Sequence, residues 1–167
     1  MSGIVYIGID PGKTGAIAVI TDGKLQVYDT PTVKIKSGNR NVTQFELPAL
    51  WRILRKIKNA AGDNQLSAAL EKVGPQPVFG AIPNFGLGNS YGHWEMALVA
   101  ARIPFEYVLP TRWKHDMGIP PKSDKNVSRL RAQKLFARSR SLFVRAKDDG
   151  RAEAALIAEW IRRQRQT

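Results

Sequence analysis

Cysteine is absent from the chain, and histidine nearly so. None of the 167 residues is cysteine, and only His93 and His115 are histidine. These absences exclude disulfides, thiol nucleophiles and cysteine-ligated zinc, and they leave too few imidazoles for a histidine-rich metal site. No apolar run is long enough to cross a membrane, and the first residues lack the pattern of a secretory signal. We therefore expect no membrane partner and a cytoplasmic location.

Acidic residues are few relative to basic ones. Asp and Glu number 14 against 26 Lys and Arg, which gives a formal net charge of +12. An excess of this size favours a polyanionic partner such as nucleic acid, although a basic surface that only aids solubility is an alternative. The length predicts a single domain, residues 1–167, and the hydrophobic fraction of 43% is ordinary for a globular protein.

The spacing of apolar residues predicts an α/β fold with a mixed sheet flanked by helices. Strands are expected at 4–9, 16–20, 25–28, 66–71 and 104–109, the first three forming an antiparallel meander with a turn at Asp22-Gly23. Helices are expected at 44–60, 90–102, 124–137 and from about 149 onward, the third capped by Ser123. Basic segments 31–43 and 138–147, and the Gly- and Pro-rich segment 72–90, are expected to be loops.

Two carboxylates end apolar strands. Asp10 follows the run 4–9, and Glu71 follows the run 66–70. If these strands lie side by side in a parallel sense, both acids emerge at the same edge of the sheet. The alternatives are a turn hydrogen bond for Asp10 and a surface ion pair with Lys72 for Glu71.

A second group of acids opens the last helix. Asp149 and Glu153 are four residues apart and share a helix face, and Asp148 directly precedes them as a possible cap. Acids in a first turn also favour the helix dipole, which is the simpler explanation for this segment alone. Together with Asp10 and Glu71 they form an oxygen-only set that suits Mg²⁺ or Mn²⁺, and two such ions can hydrolyse a phosphodiester.

The segment Gly12-Lys13-Thr14 superficially matches the end of a nucleotide-binding phosphate loop. That motif needs glycine at position 7, and the chain has Ile7. We therefore expect no nucleotide cofactor.

Five strings in order resemble the RuvC family of Holliday junction resolvases, in particular its phage-type branch. They are GIDPG at 8–12, LEKV at 70–73, PTRWK at 110–114, KSDK at 122–125 and DGRAEAALIA at 149–158. The resemblance implies an RNase H-like fold, a homodimer built on the helix near 90–102, and divalent-metal cleavage of two opposed strands of a four-way DNA junction. If the protein is phage-encoded, its location is the host cytoplasm.

The resemblance also implies roles for individual residues. Asp10 and Glu71 match the first two catalytic acids of the family directly. The last pair departs from the family spacing, because Gly150 lies three residues before Glu153; Asp149 with Glu153 is the predicted pair and Asp148 the alternative ligand. The segment 74–88 occupies the position of the junction-probing segment, so Phe79 or Phe85 is a candidate to stack at the branch point, with core or interface packing as the alternative.

A basic stripe follows at 110–147, which contains 11 Lys and Arg residues and only two acids, Asp116 and Asp124. A stripe this dense favours contact with phosphates. The predicted DNA-binding residues are Lys13, Thr14, Arg112, Lys114, Lys122, Lys125 and Arg129, besides Phe79 and Phe85.

Three functions remain open from the sequence. The first is a metal-dependent nuclease for four-way junctions, or for branched DNA more broadly. The second is a junction-binding module without activity, and intact acids in every matching segment argue against it. The third is an actin-like kinase or ATPase, which needs two such domains where this length provides one.

Overall fold

The computed structural model describes residues 3–166, apart from the side chain of Lys125. Its strands are β1 (Ile4–Asp10), β2 (Ala16–Thr21), β3 (Lys24–Asp29), β4 (Thr32–Ser37), β5 (Arg40–Phe45), β6 (Gln65–Glu71) and β7 (Phe105–Val108). Its α-helices are α1 (Leu47–Ala61), α2 (Ala81–Ala100), α3 (Pro110–Asp116), α4 (Lys125–Leu135) and α5 (Asp149–Gln166), with 3-10 turns at Ala137–Phe143 and Ala146–Asp148.

The main sheet has five strands in the order β3-β2-β1-β6-β7. The first three form the predicted antiparallel meander, and β1, β6 and β7 run parallel. Asp22 and Gly23 both have positive φ, 49° and 72°, at the turn between β2 and β3. The predicted fold class, a mixed RNase H-like sheet flanked by helices, is confirmed.

Alternation along the strands sends side chains to two separate cores. Val5, Ile7 and Ile9 of β1 pack in one core beneath α1 and α2, while Tyr6 lies in the other beneath α3, α4 and α5. Trp94, Leu98 and Ala101 form a buried face in the first core. The structure is therefore a sheet between two helical layers.

Within residues 3–166, no helix is both long and apolar enough to span a membrane.

Glycine lets α5 approach the sheet closely. A Cβ on Gly8 of β1 would lie 2.2 Å from both Ala154 O and Ala158 N of α5. One on Gly150 would lie 2.2 Å from Thr14 O, in the turn that follows β1. These contacts fix the first turn of α5 directly above the end of β1.

We expect Gly8→Ala to destabilise the protein by about 3 kcal/mol or more, since helix and strand must separate to admit the methyl group. Gly74→Ala is the matched control, because Gly74 is exposed and nothing lies within 4 Å of a Cβ at this position. That change should leave stability unchanged or raise it by up to about 1 kcal/mol. Urea unfolding measures both; equal midpoints would show that α5 does not pack as described.

Three segments differ from the sequence prediction. The predicted loop 31–43 is instead the hairpin β4–β5, in which β-branched residues alternate with polar ones around Gly38, whose φ is +60°. Because β5 continues to Phe45, α1 begins at Leu47 rather than at 44. The segment 138–147 contains two 3-10 turns rather than only loop.

Helix starts account for the remaining differences. Helix α2 begins at Ala81, within the segment predicted to be irregular, because Pro83 lies in the first turn, where its missing N–H is not needed. Asp124, not Ser123, caps α4 by accepting a hydrogen bond from the Asn126 N–H at 2.7 Å. The short helix α3, with Pro110 in its first turn, was not predicted.

Candidate active site

Asp10 and Glu71 lie side by side at the ends of neighbouring parallel strands. Ile9 of β1 pairs in register with Leu70 of β6, so the two acids occupy the next position on each strand. Alternation places both on the sheet face covered by α5 and α3. The predicted meeting of these two acids at one sheet edge follows from this register.

The turn after Asp10 is held from several directions. The Asp10 carboxylate accepts a hydrogen bond from the Gly12 N–H at 3.2 Å. From the other core, the buried Trp94 indole N–H donates to the Pro11 carbonyl at 3.0 Å. A Cβ on Gly15 would lie 2.2 Å from the Asp10 carbonyl oxygen, so only glycine fits at this position, where the chain turns back into β2. The carboxylate therefore sits on a rigid support.

Glu71 is a buried acid with an unusual environment. It is only 8% exposed, and the Trp113 indole N–H of α3 donates to its Oε1 at 2.8 Å. Burial raises the pKa of Glu71 to about 7, the charge of Asp10 adds to the rise, and the Trp113 hydrogen bond opposes it. The charge of Glu153 raises this pKa further. Acids from three separate segments thus act on one another electrostatically.

The acids of α5 are held by basic side chains. Lys114 Nζ lies 3.1 Å from Glu153 Oε1, and the Ser128 hydroxyl donates to the same oxygen at 3.4 Å. Arg129 Nε lies 3.1 Å from Asp149 Oδ1, although the angle is too poor for a hydrogen bond. Two of the four predicted acids are therefore neutralised by ion pairs.

Asp148 has a structural environment. It is 1% exposed and accepts hydrogen bonds from the backbone N–H and the guanidinium of Arg145. Burial acts to raise the pKa of Asp148, but the hydrogen bonds from Arg145 outweigh it and hold that pKa below its ordinary value. This carboxylate closes the turn that leads into α5.

Among residues 3–166, no three His, Cys, Asp or Glu side chains are grouped closely enough to hold a metal ion. The ion pairs of Asp149 and Glu153 are consistent with this, because Lys114 and Arg129 take the place that a cation would have. The donor set nonetheless fits a hard divalent cation, since all four predicted ligands are carboxylates. A positive ion beside Glu71 would also offset the repulsion by Asp10 and Glu153, which adds to the rise of its pKa caused by burial.

The other predicted contact residues have varied settings. Lys13, Thr14, Phe79, Phe85 and Lys122 are exposed. Arg112 is exposed but pairs with Asp116, while Lys114 and Arg129 belong to the acid cluster. The side chain of Lys125 lies outside the described part of the structure, though its backbone begins α4.

Two clefts flank the acids. One, of about 390 Å³, lies between α3 and the start of α4 and is lined by Lys114, Lys122 and Glu153. The other, of about 330 Å³, lies between the base of the β4–β5 hairpin and α2, with Lys13 on its rim. The first cleft thus borders Glu153, and the second opens beside the turn that follows Asp10.

Sequence reasoning missed the residues that position the acids. Trp113, part of the PTRWK string, is completely buried, and its hydrogen bond to Glu71 was not foreseen. Trp94 lies in the helix predicted at 90–102, but its hydrogen bond to the Pro11 carbonyl was not foreseen. Pro110 at the start of α3 was the one signal for the helix that carries Trp113 and Lys114.

Comparison with known proteins gives structural matches only. No protein-family model matches the chain, and no curated protein does. The fold is similar to a T. thermophilus RuvC in complex with Holliday junction substrate, with a TM-score of 0.61, 13% identity and 96% of each chain covered. A second T. thermophilus RuvC structure matches with a TM-score of 0.56, 15% identity and the same coverage. The fold is thus a RuvC-like fold.

Proposed function

We propose that this protein is a metal-dependent, structure-selective DNA endonuclease that resolves four-way junctions by paired phosphodiester hydrolysis. The observation that carries the proposal is that Asp10 and Glu71 lie side by side at two strand ends. Glu153 of α5 is near enough that its charge, like that of Asp10, raises the pKa of Glu71. The fold of a junction-bound RuvC and the net charge of +12 support it. We propose a single domain, residues 1–167, acting in the cytoplasm.

Asp10, Glu71, Asp149 and Glu153 are the residues that we propose hold the metal and carry the reaction. Carboxylate oxygens suit Mg²⁺, with Mn²⁺ as a substitute, and we propose two ions per site, which supply an activated water and stabilisation of the leaving oxygen. The hold of Arg145 on Asp148 favours Asp149 as the ligand. Glu153 and Asp149 would have to exchange their ion pairs with Lys114 and Arg129 to hold a metal, which would leave these two cations able to contact phosphates.

Branched DNA is the proposed substrate, and the recesses on both sides of the acids support this. The exposed Lys122 offers a cation to phosphates on one side, and Lys13 with the Thr14 hydroxyl offers contacts on the other. Phe79 and Phe85 are 51% and 77% exposed, so neither packs in the core of this chain. We propose that one of them stacks at the branch point.

A homodimer through α2 is the proposed assembly. Ile82, Phe85, Met96 and Val99 are all more than half exposed. They lie along one side of the helix, because the members of each pair are three residues apart and about three turns separate the two pairs. Gly92 falls on the same stripe, with nothing within 4 Å of its Cβ position. An exposed apolar stripe with a small residue at its middle suits close packing of two identical helices about a two-fold axis.

We expect the wild-type protein to show twice the chain mass of 18.6 kDa in light scattering. Met96→Glu with Val99→Glu should give a folded monomer, because four charges would meet at the two-fold axis. The control is Asn59→Glu with Gln164→Glu, two exposed positions away from the stripe. A wild-type monomer at micromolar concentration that binds junctions fully would contradict the dimer.

A broader activity on branched DNA and a binding module without activity are the alternatives. They separate in one Mg²⁺-dependent nicking assay that compares a synthetic four-way junction, a flap and a linear duplex of shared sequence. The proposed function predicts nicks in the junction alone, lost when EDTA replaces Mg²⁺. Equal cutting of the flap supports the broader activity, and tight junction binding without nicks supports the module.

A further inference from the structure

The β4–β5 hairpin, residues Thr32–Phe45, is tied at both ends to the turn that carries Asp10. On the entry side, the buried Thr30 donates its N–H to the Gly15 carbonyl at 3.0 Å. On the exit side, Phe45 is buried and packs edge-on against Trp94, whose indole holds the Pro11 carbonyl. The Glu46 N–H closes the base by donating to the Pro31 carbonyl at 2.9 Å. The hairpin is thus fixed relative to the candidate catalytic site.

Beyond its base, the hairpin is exposed and purely basic. It contains Lys34, Lys36 and Arg40 but no Asp or Glu. All three cations are exposed, and none forms an ion pair with an acid in the described part of the chain. Many other cations of the protein are already neutralised, as Lys114 and Arg129 are. The hairpin therefore presents three charges that remain available to an anion.

The cleft of about 330 Å³ connects the hairpin to the Asp10 turn. Val42 and Gln44 of β5 form one wall, Asn89 and His93 of α2 form the other, and Lys13 lies on the rim. The buried Nδ1 of His93 has no hydrogen-bond partner among the described residues. The lining combines neutral polar side chains with apolar ones and contains no acid, so no side chain in the cleft repels a sugar-phosphate chain.

We propose that the hairpin is a phosphate-binding arm for the DNA that leaves the Asp10 side of the site. The register places Arg40 on the face that carries Val42 and Gln44, so it contacts a strand in the cleft between β5 and α2. Lys34 and Lys36, about 7 Å apart along β4, project from the other face and contact phosphates of the opposite strand of the same DNA arm. This inference rests on the proposed function and adds a second DNA contact to it, besides the basic stripe at 110–147.

The first test is the salt dependence of junction binding by the triple variant Lys34→Gln, Lys36→Gln, Arg40→Gln, measured by fluorescence anisotropy without divalent metal. Loss of three phosphate contacts should lower the slope of log affinity against log salt by about 2 to 3. The control variant Lys24→Gln, Lys58→Gln, Arg102→Gln removes three exposed cations at the other end of the sheet and should change the slope by less than about 1. Equal slopes for the two variants would overturn the arm.

The second test leaves every cation in place. Because the chain has no cysteine, Asn39→Cys at the hairpin tip offers a single thiol for an iron–EDTA reagent that cleaves nearby DNA. Because each protomer of the proposed dimer carries one thiol, we expect radical cuts within a few nucleotides of each of the two enzymatic nicks. A reagent on Asp63→Cys, in the turn before β6, should give none. Absence of cuts from position 39 would overturn the arm.

Nicking by the wild-type protein separates the two proposals. If the junction is nicked with Mg²⁺ but both tests fail, the endonuclease stands and the arm is wrong. If both tests succeed on a junction that is never nicked, the arm stands as a DNA contact and the endonuclease is wrong.

Discussion

Asp10→Asn is expected to reduce junction cleavage by about 10³-fold or more while junction binding stays within about twofold of wild type. The change removes one carboxylate charge, and metal-assisted charge stabilisation of several kcal/mol corresponds to a rate factor of this size. The shape of the side chain is kept, and the Asn carbonyl can still accept the hydrogen bond from the Gly12 N–H. Single-turnover cleavage with Mg²⁺ and a binding titration without metal measure the two effects.

Asp22→Asn is the matched control for this change. It removes the same charge from a turn at the opposite end of the sheet, where Asp22 has a φ of 49° that Asn also tolerates. Its cleavage rate should equal that of the wild type. An Asp10→Asn protein that loses folding or binding together with cleavage would show that Asp10 supports the structure and would count against a catalytic role.

Glu71→Gln is expected to stabilise the protein above neutral pH and to abolish cleavage. The pKa of Glu71 is raised from 4.5 to about 7 by burial first and by the charge of Asp10 second. Between these pH values the folded chain binds more protons than the unfolded chain, so the free energy of unfolding of the wild type falls as pH rises. Above pH 7 the full free-energy cost of ionising the buried Glu71 is present. That cost is about 3 kcal/mol.

The glutamine side chain avoids this cost because it is neutral, and its carbonyl oxygen can still accept the Trp113 hydrogen bond. Without metal, at about pH 8, the variant should melt roughly 5–10 °C above the wild type, and the difference should vanish near pH 4. Saturating Mg²⁺ should stabilise the wild type and not the variant. Cleavage should fall by about 10³-fold, as for Asp10→Asn.

Asp63→Asn, an exposed acid in the turn before β6, controls for the general loss of one negative charge from the protein. It should melt with the wild type at every pH. A Glu71→Gln variant that is less stable than the wild type at about pH 8 would contradict the raised pKa and with it the close approach of the acids.

The strand-end acids were predictable because their positions follow from local patterns. An apolar run that ends in an acid fixes both the strand and the end at which the carboxylate emerges, and this placed Asp10 and Glu71 correctly at neighbouring ends of parallel strands. The last helix was predictable for the same reason, since Ala155, Leu156 and Ala158 share a buried face. These elements are specified by residues close together in the chain.

The partners of those acids depend on the tertiary fold. Trp113 reaches Glu71 across 42 residues, and Lys114 reaches Glu153 across a similar distance. No local spacing indicates such pairs. Arg129 was expected to contact DNA, yet in the folded chain it meets Asp149 because α4 packs on α5. The predicted DNA contacts and metal ligands therefore remain predictions, with their starting geometry now defined.

The hairpin was missed for a different reason. Its strands bury almost nothing except Phe45, so the alternation of apolar residues that marks a core strand is weak, and the lysines between Val33 and Ser37 gave the segment the composition of a loop. A two-stranded ribbon of this kind is marginal alone and relies on its anchored base. Helix α2 was shortened in the prediction because its glycines outweighed the apolar stripe that continues through them.

Cleavage mapping on a fixed four-way junction tests the central claim most directly. With each of the four strands labelled in turn, the wild-type protein and Mg²⁺ should give one nick on each of two opposed strands, at symmetric positions. EDTA in place of Mg²⁺, or Asp10→Asn, should leave all four strands intact. Nicks that persist in EDTA or in the Asp10→Asn protein, or an intact junction that the wild type binds with Mg²⁺ present, would contradict the account.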